Sequence, residues 1–176
     1  MENSIYVITG VMAVGKSTVS EILATNLEKG VHVRGDIFRK MIINGREEMS
    51  ENPSKEALKQ LDMRYNITAN VAKEYFDNGF NVVVQDNYLG EKLSYFSDLL
   101  KGYPVYVIVL CPDIKTIEQR EATRGKKGYV GFTVENLYNV FMETTPKIGL
   151  WLDTSKMSPE ETVVEILKRA DTEAKV

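Results

Sequence analysis

The sequence predicts an α/β fold in which one parallel sheet carries helices on both faces. Three observations lead there. Five short strand-like runs, at positions 5–9, 31–34, 80–85, 105–110 and 150–152, alternate with stretches of helical periodicity. The runs at 5–9 and 105–110 are apolar almost throughout, as strands buried on both faces require. Polar and glycine-bearing turns follow the runs, at the carboxyl edge where such sheets bind ligands.

Each element has its own local reason. Ile5, Tyr6, Val7, Ile8 and Thr9 form the first strand, and Val19, Ile22, Leu23 and Leu27 give a helix over 17–28 its apolar face. A second strand at 31–34 leads into a helix over 36–43, and the polar residues 44–54, with Gly45 and Pro53, read as a flexible connection. Leu58, Leu61, Tyr65, Ala69, Ala72 and Phe76 recur every three or four residues, which makes 55–78 a long helix that Gly79 stops. The strand at 80–85 delivers Asp86 at its end, and a short helix covers 91–101. After the most apolar run, at 105–110, Pro112 opens a helix to about residue 124 with Ile114 and Ile117 facing inward. Residues 125–131 are glycine-rich and basic, a mobile loop by composition. A helix over 133–145 and the strand at 150–152 follow. Ser158-Pro159-Glu160-Glu161 then starts a final helix whose buried face is Val163, Ile166 and Leu167. With no repeat, low-complexity tract or linker, residues 1–176 read as one domain.

The turn after the first strand carries the most specific signal. Gly10, Val11, Met12, Ala13, Val14, Gly15, Lys16 and Ser17 fit the phosphate-loop pattern G-x-x-x-x-G-K-[ST], set between a strand and a helix as its chemistry demands. Glycines let main-chain N–H groups curl around phosphate oxygens, and the helix N-terminus adds positive partial charge. Lys16 reaches the outer phosphates, the Ser17 hydroxyl ligates Mg²⁺, and Thr18 offers a further donor. The expected fold is therefore a three-layer P-loop NTPase fold around a five-stranded parallel sheet, and the expected ligand is ATP with Mg²⁺.

Phosphoryl transfer needs positioning and charge neutralisation, and other residues at the same sheet edge supply both. Asp86 ends an apolar strand beside the loop, where it either joins Ser17 at the metal or serves as an N-cap or Asx-turn residue. Asp36, at the end of the second strand, is either the base that takes the acceptor's proton or a helix cap. Arg120 and Arg124 lie four apart on one helix face and lead into a short lid at about 124–131. Their forks suit phosphate oxygens, although Glu118 and Glu121 would offset them on a solvated face. Arg39, Arg64, Tyr65 and Tyr88 are candidate acceptor contacts, and Glu47 and Glu48 either meet a cationic substrate or are plain surface charge. His32 and Trp151 read as structural, and Cys111 as a buried inert thiol.

Composition limits the alternatives. The chain has 176 residues, 43% of them hydrophobic and 27% charged, and a formal charge of −3, so it carries no general attraction for nucleic acid or anionic membrane. No stretch approaches the ~18 apolar residues of a membrane span. One cysteine and an N-terminus without signal-peptide character point to the cytoplasm. The D-x-x-G and N-K-x-D motifs of GTPases do not occur. An ATPase without a small-molecule acceptor and a toxin-like kinase of activated sugars share the scaffold and stay open.

With these residues in place, the chain resembles the chloramphenicol phosphotransferase-like group of small P-loop kinases. That group looks related to shikimate, gluconate and adenylylsulfate kinases. Residues 10–18, 34–39, 82–89 and 120–125 carry the likeness, and 150–161 is similar to the last strand, turn and helix of these kinases. The resemblance implies a phosphotransferase that moves the γ-phosphate of ATP to a small-molecule hydroxyl. It also implies that Asp36 acts as the base and that Arg120 and Arg124 cover the nucleotide.

Overall fold

The structure is a computed structural model that describes residues 3–125, 128–129 and 132–176. Five strands, β1 (Ile5–Thr9), β2 (Gly30–Arg34), β3 (Asn81–Gln85), β4 (Val105–Leu110) and β5 (Leu150–Leu152), make one sheet in the order β2-β3-β1-β4-β5. Every pairing is parallel, and β1 sits at the centre with Ile5 opposite both Val82 and Val105. Both faces of β1, β3 and β4 are buried along their whole length, whereas edge strand β2 buries only Val33.

Among the described residues seven helices cover the sheet on its two sides: α1 (Lys16–Asn26), α2 (Asp36–Lys40), α3 (Lys55–Asp77), α4 (Lys92–Leu99), α5 (Ile114–Thr123), α6 (Val134–Thr144) and α7 (Pro159–Arg169). α1 packs on β2 and β3 and against α7, and α3 packs on β2 and β3 and against α4. This is the three-layer P-loop fold that the sequence predicts.

Three local expectations change. α2 ends at Lys40 rather than residue 43, because Met41 and Ile43, 65% and 92% exposed, have no core to bury against. Pro112 does not open α5; strand pairing runs on through Cys111, whose N–H bonds the Leu152 carbonyl, and Asp113 caps the helix by accepting from the Thr116 N–H at 2.7 Å. The buried face of α7 is Thr162, Val163 and Ile166, leaving Leu167 40% exposed. Ser158 and Glu161 form the expected capping box there. Beyond α7 the chain makes a π-helical turn, Ala170–Ala174, and Lys175 bridges to Tyr106.

Residues 44–54 hold no helix or strand, yet they are tied to α3: Gln60 donates to the Gly45 carbonyl at 2.8 Å and accepts from the Glu47 N–H at 3.0 Å. Leu58, expected in the buried stripe of α3, is 39% exposed and faces the cleft described next.

Candidate active site

β1 runs into the phosphate loop through Gly10, whose φ of 141° and whose distance to the Leu110 carbonyl (2.5 Å from any added Cβ) exclude a side chain. Val11 and Val14 are buried and fasten the loop to the core. Ala13 and Gly15 take positive φ values of 64° and 98°, so the chain folds back on itself. α1 then starts at Gly15 with no side-chain cap, which leaves its first amide donors facing the loop. Lys16 is buried, and its ammonium donates to the carbonyls of Gly10 at 2.8 Å and Val11 at 2.7 Å. Burial lowers its pKa to about 7, against the pull of Asp86.

These residues line one side of a cleft of about 1260 Å³ at the carboxyl edge of the sheet. Met12, Ala13, Val14, Gly15, Lys16, Ser17 and Thr18 line it, as do Asp36, Asp86, Arg120 and Arg124. Asp86, 5% exposed, meets Arg64 of α3 through two contacts of 3.0 Å and accepts the Asn87 N–H at 2.8 Å. Burial pushes its carboxyl up, while the Arg64 guanidinium pulls the other way. Gly35 has no room for a side chain, because an added Cβ would lie 2.3 Å from Asp86 Oδ2. Ser17 accepts from Gln85 Nε2 at 3.3 Å, which places its hydroxyl beside the end of β3.

Asp36 does not cap α2; Gly35 occupies that position. Its Oδ2 pairs with Lys40 at 2.7 Å, whereas Oδ1 has no hydrogen-bond partner among the described residues, Arg34 Nε lying 4.0 Å away. Burial pushes the carboxyl up, but Lys40 and Arg34 outweigh it and hold the group below the usual carboxylate range. Arg120 reaches back to the loop, donating to the Val14 carbonyl at 2.9 Å and the Thr154 carbonyl at 3.2 Å. Arg124 Nε lies 2.6 Å from Glu121, so one of the two expected offsetting carboxylates does engage an arginine. Lys126, Lys127, Val130 and Gly131 of the expected lid lie outside the described residues.

The remaining readings divide. Arg39 lines the cleft but is ion-paired with Glu48, and Tyr65 lines it while donating to the Asn87 carbonyl at 2.8 Å. Tyr88 is fully buried, stacked on Phe96 with ring centroids 4.0 Å apart, and does not reach the cleft. Glu47 accepts from the Ser54 hydroxyl, and Glu48 lines the cleft. His32 meets Glu21 at 2.7 Å, Trp151 stacks on Phe141, and burial pushes the Cys111 thiol up to about 11. Sequence reasoning missed Gly35, Gln85, Lys40 and the apolar wall of Met49, Leu61 and Leu89. Gln85 had a visible signal, a polar residue closing an apolar run, and so did Lys40, four residues after Asp36 on one predicted helix.

The side chains that could hold Mg²⁺ here are Ser17 and Asp86, which both line the cleft, Asp86 being paired with Arg64 as well. Among the described residues no three acidic, histidine or cysteine side chains form a metal cage. One hydroxyl and one carboxylate suit an ion that keeps several waters and takes further ligands from phosphate. No helix among the described residues is long and apolar enough to cross a membrane.

Solved structures share the fold at low identity. A tunicamycin resistance protein from Deinococcus radiodurans superposes with a TM-score of 0.72 at 15% identity, covering 99% of this chain and 98% of its own. The APS kinase of Mycobacterium tuberculosis, solved with AMPPNP and APS, gives 0.71 at 19% identity, over 97% and 99%. A gluconokinase from Sinorhizobium meliloti gives 0.60 at 17% identity, over 97% and 94%. No curated protein matches the sequence. A family model described as an AAA domain matches residues 5–137, more than half of the chain. The chain, with its P-loop at the head of the matched region, belongs to that AAA-domain family.

Proposed function

We propose that this protein is a kinase that transfers the γ-phosphate of ATP to a hydroxyl group of a small molecule in the cytoplasm. One observation carries the reading: a phosphate cradle and an ionised carboxylate, one oxygen of which accepts no hydrogen bond among the described residues, line the same cleft. Solved neighbours described as a gluconokinase and an APS kinase, the latter with AMPPNP, support it.

In this reading the loop amides and Lys16 hold the phosphate chain, and Arg120 and Arg124 bring positive charge to it. Ser17 and Asp86 are the residues that would hold Mg²⁺, which when bound neutralises charge on the phosphates. Asp36 Oδ1 accepts the acceptor's hydroxyl hydrogen, orienting its oxygen for in-line attack and taking the proton as transfer proceeds. Lys40 and Arg34 keep Asp36 ionised for that purpose. Met49, Leu58, Leu61 and Leu89 line the acceptor half, so an acceptor with an apolar flank fits better than a bare polyol.

The test is acceptor-stimulated ADP release. Purified protein with ATP and Mg²⁺ is screened against hydroxyl metabolites and antibiotics. A compound that accelerates release and is recovered phosphorylated is the expected result. Release that accelerates only with nucleic acid, or no release with any addition, overturns the reading.

A further inference from the structure

Tyr129 lies 117 positions along the chain from Met12, and its hydroxyl donates to the Met12 carbonyl at 2.8 Å. The contact is built rather than incidental. Glu121 of α5, its side chain 17% exposed, accepts the Gly128 N–H at 2.5 Å and the Tyr129 N–H at 3.4 Å while pairing with Arg124. Gly128 packs against the Arg124 guanidinium and Met12. Burial and the nearby Glu121 charge push the Tyr129 phenol well up, so its hydroxyl stays a donor at any physiological pH.

The Met12 carbonyl belongs to the same peptide plane as the Ala13 N–H, and in a trans peptide the two point in opposite directions. Tyr129 does not line the cleft, whereas Met12 and Ala13 do. Holding the carbonyl fixes the tilt of the plane and with it the direction of the Ala13 N–H on its opposite side. Ala13 has a φ of 64°, a left-handed conformation that a residue with a side chain keeps only where its surroundings impose it. Arg120 treats the next-but-one plane the same way, holding the Val14 carbonyl and thereby turning the Gly15 N–H.

We propose that Tyr129 is a positioning residue of the phosphate loop: by holding the Met12 carbonyl, it aims the Ala13 N–H into the cradle for a phosphate oxygen. This rests on reading the loop as a triphosphate site. Glu121 supports it from the second side by fixing the backbone that carries Tyr129.

Tyr129→Phe removes the hydroxyl and keeps the ring. Calorimetry with ATP and with inorganic tripolyphosphate, both with Mg²⁺, should show the same loss for the two ligands, about two- to tenfold, the worth of one hydrogen bond. In ligand-free protein the ¹⁵N resonance of Ala13 should move at unchanged melting temperature. Glu121→Ala should reproduce the loss, and Glu121→Gln, which keeps an amide-accepting oxygen, should largely rescue it. Unchanged affinity for both ligands in Tyr129→Phe, or a loss for ATP that spares tripolyphosphate, overturns the assignment. Wild-type protein that binds neither ligand overturns the nucleotide reading itself.

Discussion

Lys16 is enclosed by the loop it closes, and burial leaves its pKa at about 7 against an ordinary 10.5. Between those values the unfolded chain holds a proton that the folded chain lacks, so folding stability rises with pH across that window. Phosphate oxygens favour the ammonium and reverse the balance. ATP affinity should therefore fall as pH rises above about 7, and binding near pH 8 should take up most of one proton. Titrations in buffers of different ionisation enthalpy measure that uptake. Lys16→Ala should abolish it and weaken ATP by about ten- to a hundredfold, the range for charge-assisted hydrogen bonds, with a melting temperature close to wild type. Heats that do not depend on the buffer would mean that Lys16 already carries its proton in the free protein.

At the scale of elements, the site is positioned by where strands stop and helices begin. α5 carries Arg120 and Arg124, and its first turn is satisfied by the Asp113 carboxylate. Asp113→Ala should cost about 1 kcal/mol in thermal unfolding, as for other lost N-caps. Because α5 also holds the loop through Arg120, ATP affinity should fall with it. The strands were legible because runs such as Val105–Leu110 are buried on both faces and can hide no polar residue. The phosphate loop was legible because its chemistry is local. The order β2-β3-β1-β4-β5 was not, since strand neighbours are chosen by crossovers that leave no mark in any one segment. Nor was the end of α2, where helical periodicity continues past the last residue with a core to face. Asp36 and Asp86 were visible as carboxylates at strand ends; the Lys40 partner of Asp36 is local, four residues on along one helix, but the Arg64 partner of Asp86 lies where only folding brings it. Tyr129 was hidden for the same reason: its meaning lies in a carbonyl more than a hundred residues away.

Across the whole molecule the cleft divides between the phosphate loop and the wall made by α2, α3 and residues 48–49. If the halves serve donor and acceptor separately, substitutions in one should leave binding in the other intact, as sites without shared partners usually behave. Asp36→Asn keeps the shape of the carboxylate and removes its charge and basicity. Turnover should fall by about a hundred- to ten-thousandfold, the range for a lost general base, while the dissociation constant for ATP stays within about twofold. Leu58→Asp places a charge on the apolar wall at a position already 39% exposed, so the fold should tolerate it. There the KM for the acceptor should rise about tenfold and turnover at saturation should hold, because binding is lost equally in ground and transition states. Stopped-assay kinetics with each substrate varied in turn separate these patterns. A joint loss of ATP binding in Asp36→Asn would move that carboxylate to the nucleotide side. An unchanged acceptor KM in Leu58→Asp would show that the acceptor sits deeper, against Arg64 and Asp86.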